Sequence, residues 1–190
     1  ASTFDVHFQE VVNHANLYGE GRVGGLIGDV TMTSRDITLT DVYNSGVIAS
    51  GEDNEASLGG LIGRVDGRDS STTLTLEITD AYNVGSIIGG YDRGDIIGES
   101  RNLDNLITFS GVYYLNTPGA FGFIRSETYT NASATQLDYV SVTALSTYDS
   151  DWDILEEDTS NTWSIYGQGR RSFPWLSFEE EPHPRMVIKP

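Results

Sequence analysis

Cysteine is absent from this 190-residue chain, which excludes disulfides and thiolate metal sites. That absence suits a bacterial surface protein as well as a cytosolic one, so it leaves the compartment open. Histidine is scarce: the three are His7, His14 and His183, and no pair has a metal-ligand spacing such as His-Glu-x-x-His. Basic residues are also few, 11 against 28 acidic ones, and the formal charge of −17 repels nucleic acid and acidic lipid surfaces. No run approaches the ~18 consecutive apolar residues of a membrane span, and Ala1 opens no basic, apolar signal segment. The expectation is a soluble chain without membrane insertion, an excised or processed piece. There is no Gly-x-Ser-x-Gly string to raise a nucleophile above a sheet. What remains is 38% apolar, enough for one hydrophobic core.

The chain does contain itself several times over. "ITLTDVYNSG" (37–46), "LEITDAYNVG" (76–85) and "ITFSGVYYLN" (107–116) share one template, with "VHFQEVVNHA" (6–15) as a worn copy. Val11, Val42, Ala81 and Val112 are then equivalent, at steps of 31, 39 and 31 residues. The long middle step accommodates polar, turn-rich insertions, "GEDNEAS" and "DGRDSST". A second string, "VGGLIGDV" (23–30), returns as "LGGLIGRV" (58–65) and, degraded, as "GDIIG" (94–98). Leu26, Leu61 and Ile96 stand 35 residues apart each time.

Inside the template Val6/Phe8, Ile37/Leu39, Leu76/Ile78 and Ile107/Phe109 alternate with polar residues, the period of a strand with one buried face. Each unit adds a short apolar piece (Val47-Ile48, Ile87-Ile88) and a third built on Gly-Leu-Ile-Gly. Three short strands per ~30 residues, separated by Gly, Asn or Asp, describe one coil of a β-solenoid. Coils stack at about 4.8 Å, so Val42, Ala81 and Val112 are expected in one inward column. Leu26 and Ile27 are adjacent, and a regular strand would send one of them outward. A bend flanked by glycine keeps much of both inside. The expected fold is an all-β, right-handed parallel β-solenoid of about three to four coils over residues 1–115.

Gly25-Leu26-Ile27-Gly28 and Gly60-Leu61-Ile62-Gly63, each followed by Val-Tyr-Asn-Ser-Gly or Ala-Tyr-Asn-Val-Gly (42–46, 81–85), carry a family resemblance. The chain resembles the GLUG repeat family of bacterial surface and secreted proteins, over roughly residues 11–176. "VYYLN" (112–116), "ATQL" (134–137), "VTALS" (142–146) and "NTWSI…FPWL" (161–176) look like the segment that closes such arrays. The resemblance implies a parallel β-helix at the bacterial cell surface or outside the cell. It occurs there in adhesin-like chains, and as an accessory region of proteases that cleave immunoglobulin A. It implies no catalytic residues. The third copy departs from the pattern, with Asp95 at the second glycine and Ile96 at the leucine.

Residues 116–178 are read as the last coil and a C-terminal cap, with Trp152, Trp163 and Trp175 as the cap's aromatic core. Residues 179–190 read as a tail or linker, with three prolines and charge. A binding candidate is Arg93-Gly94-Asp95, the triplet read by integrins, expected on a turn that faces water, although such a triplet also arises by chance in a chain rich in glycine and aspartate. Acidic residues are expected in turns, where Asp66, Asp69, Asp92 and Asp95 offer oxygens to a calcium ion bridging successive turns. Their plainer role is to keep loops solvated. Calcium aside, no cofactor is expected. An outward column of Thr40, Thr79 and Ser110, beside Thr38, Glu77 and Thr108, admits an ice-ordering face that Glu77 interrupts. The leading expectation is a non-catalytic extracellular interaction or spacer module binding a protein or glycan of a host or neighbouring cell. The rivals are a β-helix polysaccharide-active enzyme fragment using turn carboxylates and an ice-binding solenoid.

Overall fold

The computed structural model describes residues 5–32, 35–51, 55–67, 75–101, 107–115, 122, 124, 132–138, 140–148, 152–156, 160–166 and 172–179. It divides the chain into two compact units, Ala1–Gln136 and Leu137–Pro190.

The first unit is built from a four-strand set. β1 (Val6–Asn13), β2 (Leu17–Tyr18), β3 (Arg22–Gly24) and β4 (Ile27–Thr31) form the first copy. β5 (Ile37–Asn44), β6 (Ile48–Ala49), β7 (Ser57–Gly59) and β8 (Ile62–Asp66) form the second. β9 (Leu76–Asn83), β10 (Ile87–Ile88), β11 (Asp92–Gly94) and β12 (Ile97–Arg101) form the third, followed by β13 (Ile107–Leu115) and β14 (Thr135–Leu137). Equivalent strands pair in parallel and in register, giving sheets β1-β5-β9-β13-β14, β2-β6-β10, β3-β7-β11 and β4-β8-β12. The unit is all-β, with the stacked parallel sheets of a β-helix or solenoid. Val11, Val42, Ala81 and Val112 share one column as expected, the last three at 0%, 0% and 2% exposure.

The set holds four strands where the sequence suggested three, because the Gly-Leu-Ile-Gly string is a corner between two strands. Leu61 and Ile62, adjacent in sequence, are both fully buried, as are Ile96 and Ile97. The corner requires glycine because backbone presses on backbone: a Cβ on Gly59 would lie 1.8 Å from the Ile62 carbonyl oxygen and 2.6 Å from the Gly98 nitrogen. The aliphatic columns form two cores. Leu39, Val42, Ile78 and Ala81 pack with Leu61, Ile62, Val65 and Ile97, while Ile48, Ala56, Leu58 and Ile87 make a smaller cluster. Each buried aliphatic of this size contributes about 1.5–3 kcal/mol.

The long strands carry a shared kink. Glu10, Asp41, Asp80 and Gly111 occupy one level and all have left-handed backbones, with φ of 53°, 54°, 50° and 61°. Asp tolerates this region better than most side chains, and the glycine in the fourth strand shows what the backbone asks for there. Beyond the kink, the asparagines of the Tyr-Asn motif turn inward as a ladder. Asn13 donates through Nδ2 to Asn44 Oδ1 (2.7 Å), and Asn44 donates to Asn83 Oδ1 (2.8 Å). Asn44 and Asn83 also close their own turns, accepting from the N–H of Gly46 and Gly85 and donating to the same residues' carbonyls. Next to the ladder Tyr43 and Tyr82 stack, centroids 4.9 Å apart.

The first unit runs to Gln136. The β14 strand extends the sheet beyond β13, and Ile124 forms a parallel bridge with Ile97. The second unit carries β15 (Ile154–Glu156), β16 (Trp163–Ile165) and β17 (Trp175–Leu176), the first two parallel and the last two antiparallel. Trp152, Trp163 and Trp175 are buried in it at 3%, 0% and 3% exposure. The Trp152 ring lies between those of Tyr148 and Trp163, at centroid distances of 4.8 and 4.7 Å. The tail at 180–190 lies outside the described residues.

Candidate functional site

Sheets β3-β7-β11 and β4-β8-β12 meet at the glycine corner. A Cβ on Gly28 would lie 2.9 Å from the Arg22 carbonyl oxygen, and one on Gly98 2.6 Å from the Leu58 carbonyl carbon. Polar columns flank this corner at 35-residue steps. Arg22, Ser57 and Asp92 are register partners, as are Asp29, Arg64 and Glu99, and Thr31, Asp66 and Arg101. Along each column the residue changes class from strand to strand, and no like charges are neighbours.

Arg22, Ser57, Asp92, Glu99 and Arg101 from these columns line a cleft of about 650 Å³. Ser57 and Glu99, 3% and 7% exposed, are its buried polar members. Ser57 Oγ donates to Glu99 Oε2 at 2.9 Å, and Arg101 Nε donates to Glu99 Oε1. That hydrogen bond first, then the charge of Glu99, pushes the Arg101 guanidinium further above its already high pKa. Arg22 and Asp92 contribute a guanidinium and a carboxylate, and Arg22 also lies 3.6 Å from Asp29. Asp29 in turn accepts a two-pronged contact from Arg64, at 3.0 and 3.1 Å. Glu55 and Tyr91 add exposed groups, with Tyr91 65% exposed. The cleft thus offers acceptors, donors and an aromatic face over rigid, parallel-paired backbone.

The sequence pointed elsewhere. Arg93-Gly94-Asp95 is not on a water-facing turn: Arg93 and Gly94 lie in β11 and Asp95 is 0% exposed. Burial follows from register, since these residues continue the columns Val23–Leu58 and Gly24–Gly59 into the third strand. The Asp95 carboxylate is therefore withdrawn from a surface receptor. Asp95 stands at the level of Gly25 and Gly60, where a Cβ meets the ladder; on Gly60 it would come 2.4 Å from Asn83 Cγ. The next ladder position is Tyr114 instead of asparagine, and the strand path survives the substitution. Burial, and next the Asp95 charge, push the Tyr114 phenol above its usual pKa.

Of the calcium candidates, Asp95 lies buried at the corner between β11 and β12, and the others differ in placement. Asp66 ends β8, Asp92 begins β11, and Asp69 lies outside the described residues. Among the described residues no three acidic or histidine side chains gather as a metal site. His14 is tied into the scaffold, its Nδ1 2.7 Å from Ser45 Oγ and its ring edge-on to Tyr43. Thr40, Thr79 and Ser110 do form one column, beside Thr38, Glu77 and Thr108. Sequence reasoning missed Arg22, Ser57, Tyr91, Glu99 and Arg101. The usable signal was the 35-residue step from Leu26 to Leu61 to Ile96, which, applied to outward positions, groups the members of each charged column.

No protein-family model matches the chain, and neither a curated protein nor a solved structure is similar enough to match.

Proposed function

We propose that the chain is a non-catalytic interaction module of a bacterial surface protein. In this reading it is a right-handed β-solenoid of about three to four coils, with the tryptophan unit as its cap. One observation supports it above others: inward positions repeat their residue class from strand to strand, whereas the outward columns at the cleft change class at each step. A repeating scaffold holding a non-repeating surface is how solenoids present ligand-specific faces. The GLUG resemblance adds the extracellular, adhesin-like setting, and the charge of −17 disfavours nucleic acid as a partner.

The test is an array of glycans and surface proteins probed with purified chain. It runs beside assays for sugar release with and without calcium, and for thermal hysteresis. The module reading expects saturable binding with the ligand recovered intact. Release of reducing or unsaturated sugar, lost in Asp92→Asn, overturns it in favour of an enzyme. Thermal hysteresis abolished by Thr79→Tyr overturns it in favour of an ice-binding face.

A further inference from the structure

Resting on the interaction-module reading, the geometry points to the Tyr91 cleft as a subsite for a neutral pyranose unit of a glycan. The volume of about 650 Å³ lies within the roughly 300–1,000 Å³ of small-molecule sites. Its lining alternates hydrogen-bond roles over a short span. Asp92 and Glu99 accept, and Arg22 and Arg101 donate. A sugar hydroxyl both donates and accepts, so a ring carrying several of them satisfies a mixed lining that a purely anionic or cationic group would satisfy only in half. Glu99 is held in place within the cleft: Ser57 donates to one oxygen and Arg101 to the other. A carboxylate has about four lone-pair positions, so these two contacts leave acceptor capacity on each oxygen.

Tyr91 supplies what hydrogen bonds alone do not. The residue is 65% exposed, so an aromatic surface is open at the edge of the cleft. An aromatic ring beside several polar groups suits a ligand with one C–H-rich face and polar edges, which describes a pyranose. Charge decides between sugar classes. Three carboxylates (Glu55, Asp92, Glu99) face two guanidiniums in the cleft, on a chain of net −17, so an acidic sugar is repelled. A lysine- or arginine-rich peptide meets Arg22 and Arg101 at the same place.

The experiment titrates the 190-residue chain with neutral hexose oligosaccharides, uronic-acid oligosaccharides and an oligolysine peptide, using calorimetry and NMR. Neutral oligosaccharide is expected to bind. Tyr91→Ala should weaken it at least about tenfold and Tyr91→Phe less than about threefold, since stacking and not the hydroxyl is at stake. Melting temperatures of both variants should match wild type, because the ring is exposed. Tighter binding of the acidic sugar or the peptide, lost in Tyr91→Ala, overturns the sugar assignment and leaves the module reading standing. Neutral-sugar binding that Tyr91→Ala does not weaken overturns the cleft as its site. Absence of binding to every array and titrant overturns both readings.

Discussion

Replacing Asn44 by alanine should be among the most damaging single changes to the first unit, because one side chain serves four hydrogen bonds. Asn44 is fully buried. It donates to the Gly46 carbonyl (2.9 Å) and Asn83 Oδ1 (2.8 Å), and it accepts from the Gly46 N–H (3.1 Å) and Asn13 Nδ2 (2.7 Å). Alanine takes this partner away from the two backbone groups of Gly46. A buried polar group deprived of its partner costs about 1–3 kcal/mol, which puts the loss for the two at about 2–6 kcal/mol. Asn13→Ala, at the outer end of the same ladder, gives up two contacts to the exposed Ala15 backbone that water can replace and one to Asn44 Oδ1, which keeps the Gly46 N–H, and should cost only about 0.5–1 kcal/mol. Asn44→Asp keeps the shape and both accepting roles but loses both donors, so it should resemble alanine and not wild type. Urea unfolding followed by circular dichroism, compared by midpoint at constant slope, measures each loss. Equal losses for Asn13→Ala and Asn44→Ala, or an Asn44→Asp variant as stable as wild type, would refute the ladder as a source of stability.

Gly59→Ala should cost about 3 kcal/mol or more, visible as loss of soluble, folded protein, because its Cβ would sit 1.8 Å from a carbonyl oxygen. Gly21→Ala meets no atom within 4 Å and pays only for its φ of 113°, about 1 kcal/mol by the same assay. The Tyr114 phenol, raised first by burial and then by Asp95, favours the neutral form in the folded chain. Its stabilising contribution is therefore intact below the ordinary tyrosine value of about 10 and is lost as pH rises through the folded value. Alkaline melting curves should show this loss flattened in Tyr114→Phe. The cap role proposed for the tryptophan unit predicts that a chain ending at Gln136 aggregates in light scattering; a stable monomer with unchanged melting refutes that role.

Inward-facing residues were the legible part of the sequence. Val42, Ala81 and Val112 could be placed in one column because apolar residues stack best on apolar residues, so the column repeats itself in the text. The glycine corner was legible as a bend but not as a boundary between two strands. A bend in sequence does not say whether the chain resumes pairing on both sides. The asparagine ladder was visible as a recurring Tyr-Asn motif without a role, since its function depends on the asparagine turning inward past the left-handed kink at Asp41 and Asp80. Arg93-Gly94-Asp95 was misplaced because a charged triplet among glycines reads as a turn. Pairing of β11 with β7 overrides that local signal.

In-register stacking also explains why the cleft was hidden. Residues one repeat apart lie about 4.8 Å from each other, close enough that identical side chains meet directly. Asparagine gains from this, since each amide both donates and accepts, and aliphatics gain from shared burial. Identical charges lose, because like charges directly opposite are destabilising. Register therefore selects for repetition inside and, at the cleft, against repetition of charge; the acidic level Glu10–Asp41–Asp80 repeats where the left-handed kink sets the residue instead. The column Asp29–Arg64–Glu99 alternates in sign, and Thr31–Asp66–Arg101 passes from neutral to negative to positive. A search for self-similarity finds what must repeat and passes over these columns. The physical rule that makes the scaffold conspicuous in the sequence also makes its most individual surface, the cleft around Glu99 and Tyr91, the least conspicuous.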